Sequence, residues 1–70
     1  KGVDQDYEQA LLWYKKSAEQ GERSSQRAVG EMYEQGEGVE KDLEEAVRWY
    51  KLAAEQGDEY ASKRVDALTN

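Results

Sequence analysis

The chain has 70 residues, a formal net charge of -6, and neither cysteine nor histidine. A chain of this length makes one domain at most, and a core this small is marginal unless something else packs against it. The missing residue types exclude a disulfide, a thiolate zinc site, a cysteine nucleophile and a Ser-His-Asp arrangement, and the acidic balance opposes the counterion release that drives nucleic-acid binding.

No apolar run approaches the roughly 20 residues that a membrane span needs, and no charged-then-apolar start marks a signal peptide. Lack of cysteine fits a reducing compartment and so favours the cytoplasm, although cysteine-free chains also occur in the periplasm and outside cells. No residue set suggests a cofactor.

In chain order, Lys1 to Gln5 reads as the end of a turn whose first part is missing, as expected of a chain that begins inside a repeat. Asp6 and Gln9 have the spacing of a capping box and predict a helix from Asp6. Tyr7, Ala10, Leu11, Tyr14, Ser17 and Ala18 then recur at helical spacing, with Trp13 widening the stripe, and Gly21 ends the element. A second helix is predicted from Arg23 or Ser24 to Gln35, with Ser25, Ala28, Val29, Met32 and Tyr33 on its inner stripe. Gly30 inside it costs about 1 kcal/mol of helix propensity, which implies close approach of an aromatic ring. Trp13 or Tyr14 of the preceding helix is the expected neighbour.

Gly36 and Gly38 bracket the next turn, where positive φ is expected. Asp42 with Glu45 repeats the capping box, and both acids suit the positive end of a helix dipole. Leu43, Ala46, Val47, Tyr50, Ala53 and Ala54 form the stripe of the third helix, with Trp49 beside it. Glu44 and Glu45 can each pair with Arg48 on its solvent face. Gly57 stops this helix, and Asp58 can cap a fourth that carries Ala61, Val65 and Leu68.

A shift of about 36 residues, within the range of solenoid repeats, lays Gly2, Val3 and Asp6 on Gly38, Val39 and Asp42. The same shift lays Glu8, Ala10, Trp13, Tyr14 and Lys15 on Glu44, Ala46, Trp49, Tyr50 and Lys51, and the run Ala18 to Gly21 on Ala54 to Gly57. One register accounts for every match. The fold class is therefore all-α, a helical repeat of antiparallel pairs with four helices. Residues 1–21 form the second helix of a truncated repeat, 22–57 one complete repeat, and 58–70 the first helix of a further or capping repeat.

The runs VGEMYEQGEGVEKDLEEAVRWYKLAAEQGD and GVDQDYEQALLWYKKSAEQG resemble the Sel-1-like repeat, a relative of the tetratricopeptide repeat. In the complete unit the resemblance rests on Val29, Gly30, Tyr33, Gly36, Gly38, Val39, Asp42, Ala46, Trp49, Tyr50, Ala53, Ala54 and Gly57. Ser17 and Ser25 replace small alanine positions. The last helix carries Asp66 and Thr69 where Gly30 and Tyr33 stand one unit earlier, which suggests a C-terminal cap. The resemblance implies a right-handed superhelix that serves as an adaptor in protein complexes, without catalytic activity of its own. It also implies that the first helix of each unit lines a concave groove.

On that reading the partner is a protein or peptide, bound through Gln26, Arg27, Glu31 and Glu34 on one helix and Ser62, Lys63 and Asp66 on the next. Arg27 to Glu31 also has the spacing of a simple i,i+4 pair. The aromatic residues Tyr7, Trp13, Tyr14, Trp49 and Tyr50 read as core rather than as a ligand platform. Gly36-x-Gly38 lacks the preceding strand and the Lys-Ser pair of a phosphate loop. The adjacent acids Glu44 and Glu45, or Asp58 and Glu59, point in different directions and read as solvated rather than catalytic. The alternative is a structural spacer of a longer repeat protein that self-associates through exposed Tyr7, Leu11 or Leu12.

Overall fold

The computed structural model describes residues 2–70, with side chains from residue 6 onward. Four helices follow one another: α1 (Gly2–Glu19), α2 (Arg23–Gln35), α3 (Leu43–Glu55) and α4 (Glu59–Thr69). Each packs on the next in sequence, and the short connections fold them back as antiparallel neighbours. The described residues contain no strand, and no helix is long and apolar enough to cross a membrane. The Cα trace measures 34 × 26 × 15 Å.

Local chemistry explains where the last three helices start. The carboxylates of Glu22, Asp42 and Asp58 accept from the backbone N–H groups of Ser25, Glu45 and Ala61, at 3.2, 3.1 and 2.9 Å. Each satisfies a first-turn amide that the helix cannot bond itself. The box at Asp42 is only half closed, however. The Glu45 carboxylate turns to Arg48 at 2.9 Å, and the Asp42 amide donates to the Tyr33 carbonyl at 2.9 Å. Helix ends repeat as well: Glu22 N–H donates to Ser17 O and Asp58 N–H to Ala53 O, both at 3.2 Å.

The start of α1 departs from expectation. Helix begins at Gly2, so Asp6 lies within it rather than capping it. The equivalent stretch, Gly36 to Asp42, is held in its turn by the Asp42–Tyr33 bond to the preceding helix and by Val39 packed on the core. No helix precedes Gly2 among the described residues, so residues 2–5 have no such support and continue as helix.

The core joins Leu11 and Ala18 of α1, Val29, Met32 and Tyr33 of α2, Ala46, Tyr50 and Ala53 of α3, and Ala61 of α4. Tyr50 is the largest fully buried side chain. It lies against Gly30, where an added Cβ would stand 2.8 Å from Cδ1 of the ring. Close aromatic approach is thus the reason for this glycine, but the ring comes from the following helix rather than from Trp13 or Tyr14. Gly38, at φ +73°, brings the turn onto the main chain of α1, where a Cβ would meet the Tyr7 carbonyl at 2.5 Å. A side chain at that position would be both strained and obstructed.

Two expectations about burial fail. Trp13 is 68% and Tyr14 44% exposed, and Tyr7 and Leu12 are exposed too, whereas Leu11 is buried. In α3 the equivalent Tyr50 is covered by Gly30 and Glu34 of α2 and Trp49 packs on the core; among the described residues no helix covers Trp13 and Tyr14 of α1 in that way. Leu43, expected on the inner stripe of α3, is also exposed at the start of that helix.

Candidate functional site

Helices α2 and α4 share a face on which charges are paired in a fixed order. On α2, Arg27, Glu31 and Glu34 follow at helical spacing; opposite stand Asp58, which caps α4, and Tyr60 and Arg64 on α4 itself. The Arg64 guanidinium grips the Glu34 carboxylate with two nitrogens, Nε at 3.3 Å from Oε1 and Nη2 on Oε2. Such two-pronged pairing fixes orientation as well as distance. From the core, the Tyr50 hydroxyl donates to the same carboxylate at 2.7 Å. Arg27 stands 3.7 Å from the buried Asp58 carboxylate and lies over the Tyr60 ring, 5.7 Å from its centroid. Tyr60 in turn meets Tyr50 edge-on, with ring centroids 6.3 Å apart.

These contacts set the ionisation of the group. Burial alone would raise the Glu34 carboxyl, but the bonds from Arg64 and Tyr50 and the charge of Arg64 outweigh it and hold Glu34 below the usual carboxylate value. Burial, with Glu34 as hydrogen-bond acceptor, pushes the Tyr50 hydroxyl far above the ordinary tyrosine range. Partial burial and the charge of Glu31 raise Tyr60 as well. The Glu34 bond likewise raises Arg64, which stays charged.

A depressed carboxylate contributes stability that is present above its unfolded pKa and lost as pH falls through the folded value. Thermal melts should therefore show the chain losing stability below about pH 4.5. Glu34→Gln should flatten that acid limb. Equal slopes in the two chains would remove Glu34 as its source.

The structure divides the residues expected to bind a partner. Gln26 is buried, at 4% exposure, and faces no groove. Its Nε2 donates to the Ala18 carbonyl at 3.2 Å and its Oε1 accepts from Gln56 at 3.0 Å, so it ties together the ends of three helices. Glu34 is likewise turned inward, with its side chain 16% exposed and occupied by Tyr50 and Arg64. Arg27 and Glu31 lie on the α2–α4 face, but the salt bridge of Arg27 is to Asp58 rather than Glu31.

Ser62 and Asp66 are exposed on the other side of α4, where they border a shallow depression of about 240 Å³ with Lys51, Ala54, Glu55 and Val65. Lys63 is exposed between the two sides. Tyr60 and Arg64, absent from the expected set, complete the α2–α4 face. Lys63 lies off the apolar stripe of its helix, but that position does not say which residue meets α2: Glu34 pairs with Arg64, 30 residues away. The available signal was the i,i+4 spacing of Tyr60 and Arg64, which matches that of Arg27 and Glu31 on the facing helix. Among the described residues no group of His, Cys, Asp and Glu could hold a metal ion.

Helices joined by short turns, packed in chain order and built on one repeating pattern, define an all-α helical repeat protein. A family model described as Sel1 repeat matches residues 1–22 and again 23–58. The chain belongs to the Sel1 repeat family. A solved structure of a Sel1 repeat protein from Oxalobacter formigenes superposes with a TM-score of 0.86 at 45% sequence identity, over 89% of this chain and 26% of that chain. The 70 residues thus span about a quarter of the length of that relative. Among curated proteins no match is found. Repeats of this family generally mediate protein–protein interaction.

Proposed function

We propose that this chain is a non-catalytic scaffold module that binds a partner protein or peptide across the face shared by α2 and α4. In this reading residues 22–57 are the complete repeat, flanked by the second helix of one unit and the first helix of another. The observation that carries it is Tyr60, 41% exposed, with the Arg27 guanidinium over its ring and Arg64 four residues further along the same helix. Tyrosine and arginine dominate binding energy in protein interfaces. Here both arginines are paired to carboxylates of the fold, which lowers the ordering cost of engaging them. Glu31 and Lys63 extend the surface with charges of both signs, which suits a polar, mixed-charge segment better than a lipid or nucleic acid.

The test compares partner capture from a lysate of the source organism by the parent chain and by Tyr60→Ser, Lys63→Glu. A specific partner should be retained by the first and lost by the second, with helix content unchanged and Tm within a few degrees. Capture that survives the double variant removes this face from the function. Charge reversal at Arg27 is a poorer choice, because Arg27 pairs with the Asp58 carboxylate that caps α4.

A further inference from the structure

The face shared by α2 and α4 carries charges of both signs, but the two signs are not equally open to a partner. Its carboxylates are largely covered. The Glu34 side chain is 16% exposed and is held by Tyr50 and Arg64. That of Asp58 is 8% exposed, and one of its oxygens accepts from the Ala61 N–H as the cap of α4. Glu31 is partly buried beside Tyr60. The cations face outward: the Arg27 side chain is 43% and that of Arg64 31% exposed, and Arg23 and Lys63 are exposed residues. Arg23 and Arg27 stand one turn apart on α2, while Lys63 and Arg64 follow Tyr60 by one turn on α4, so each set shares one side of its helix.

The cations also differ in what their donors already hold. Arg64 spends two nitrogens on Glu34, and Arg23 donates to the Gln56 carbonyl. Arg27 stands 3.7 Å from Asp58, outside hydrogen-bonding distance, and among the described residues it donates no hydrogen bond. Lys63 forms no ion pair among the described residues. Arg27 is nevertheless held in position by the Tyr60 ring beneath it. A planar guanidinium so placed, with its N–H groups unspent, matches a carboxylate without first having to be ordered.

We propose that the segment received by this face is acidic, with aspartate or glutamate side chains set on Arg27 and Lys63 to either side of Tyr60. This rests on the α2–α4 face being the partner surface, and it names the chemistry that the surface takes. The overall charge of -6 does not oppose it. At physiological ionic strength charges act over about 8 Å, so a docked segment meets the charges within a turn or two rather than the sum over the chain. The same neighbours limit the kind of anion. Glu31, one turn beyond Arg27, and the exposed Glu59 and Asp66 of α4 interrupt the positive surface. A phosphate backbone is charged at every step and would meet them, whereas a peptide can place carboxylates only where the cations stand.

An NMR titration of the chain, following backbone amides and arginine Nε–H signals, tests the proposal with three probes. The first is a peptide of aspartate, glutamate and serine with both termini blocked, so that side-chain carboxylates alone are offered. The second replaces its acids by asparagine and glutamine, and the third is a single-stranded RNA oligomer. The acidic peptide should give saturable shifts centred on Arg27, Tyr60 and Lys63 that weaken as salt is raised. The neutral peptide should give none, and RNA should bind more weakly than the acidic peptide. Lys63→Glu should weaken acidic-peptide binding roughly threefold to tenfold, and Arg27→Gln at least as much, with helix content unchanged by circular dichroism. Because Lys63 is exposed and unpaired, its variant decides the matter even if the Arg27 change disturbs α4.

No saturable shift, shifts centred on Lys15 and Lys16 of α1, or binding indifferent to Lys63→Glu would overturn the proposal. So would an equal response to the neutral peptide or to RNA. Lysate capture that is lost with Tyr60→Ser, Lys63→Glu while the acidic peptide fails to bind would keep the face as the partner surface and overturn only its acidic preference. Capture that survives the double variant would remove the face itself, and the proposal with it.

Discussion

Replacing Tyr50 by alanine should abolish cooperative folding of this chain or lower its Tm by roughly 20 °C or more. Removing a fully buried aromatic ring costs about 3–5 kcal/mol, in lost transfer energy and in the cavity left behind. A 70-residue domain holds in total roughly 4–10 kcal/mol, and each kcal/mol moves Tm by about 4–8 °C at this size. Tyr50 also links the layers: its ring lies against Gly30, its edge meets Tyr60, and its hydroxyl helps fix Glu34 for Arg64. Tyr50→Phe keeps the ring and removes only the hydroxyl bond, so it should cost about 1 kcal/mol. The equivalent Tyr14→Ala should cost far less than Tyr50→Ala, since Tyr14 is half in solvent. Thermal melts followed by circular dichroism order the three. Similar losses for Tyr14→Ala and Tyr50→Ala would contradict the unequal burial of the two rings.

That contrast shows what the amino-acid pattern could and could not reveal. The apolar spacing and the caps of Asp42 and Asp58 are local, and the last three helices lie where that local chemistry places them. The same reasoning misplaced the start of α1, because the turn at Gly36 to Asp42 depends on a bond to Tyr33 of a preceding helix. It also expected Trp13 and Tyr14 to be core residues: periodicity marks the face that would be buried, not whether a neighbour is present to bury it.

Gly30 was legible as a site of close aromatic approach, yet α2 packs between α1 and α3, and a helical wheel does not say which neighbour supplies the ring. At the candidate site the loss was greater. Gln26 reads as surface because it is polar and lies off the apolar stripe, but the converging helix ends enclose it and satisfy its amide. Glu34 with Arg64 is a long-range pair, and the i,i+4 spacing of Tyr60 and Arg64 marks a helix face without saying which residue of the other helix it meets.

Gly30→Ala should destabilise the chain, against the direction that helix propensity alone would give. In an exposed helix the change gains about 1 kcal/mol. Here the new methyl would stand 2.8, 2.9 and 3.1 Å from Cδ1, Cε1 and Cγ of Tyr50. The ring has little freedom to withdraw, since it is fully buried, with its hydroxyl on Glu34 and Tyr60 at its edge. Overpacking of this kind costs about 1–3 kcal/mol, enough to offset the propensity gain and lower Tm by about 5–10 °C. The sign should invert when the ring is removed: in a Tyr50→Leu background, Gly30→Ala should be neutral or stabilising. A double-mutant cycle by thermal melts isolates this coupling from the separate cost of each change. A rise in Tm for Gly30→Ala in the otherwise unchanged chain would mean that the Tyr50 ring does not press on this backbone, and the glycine would then need another explanation.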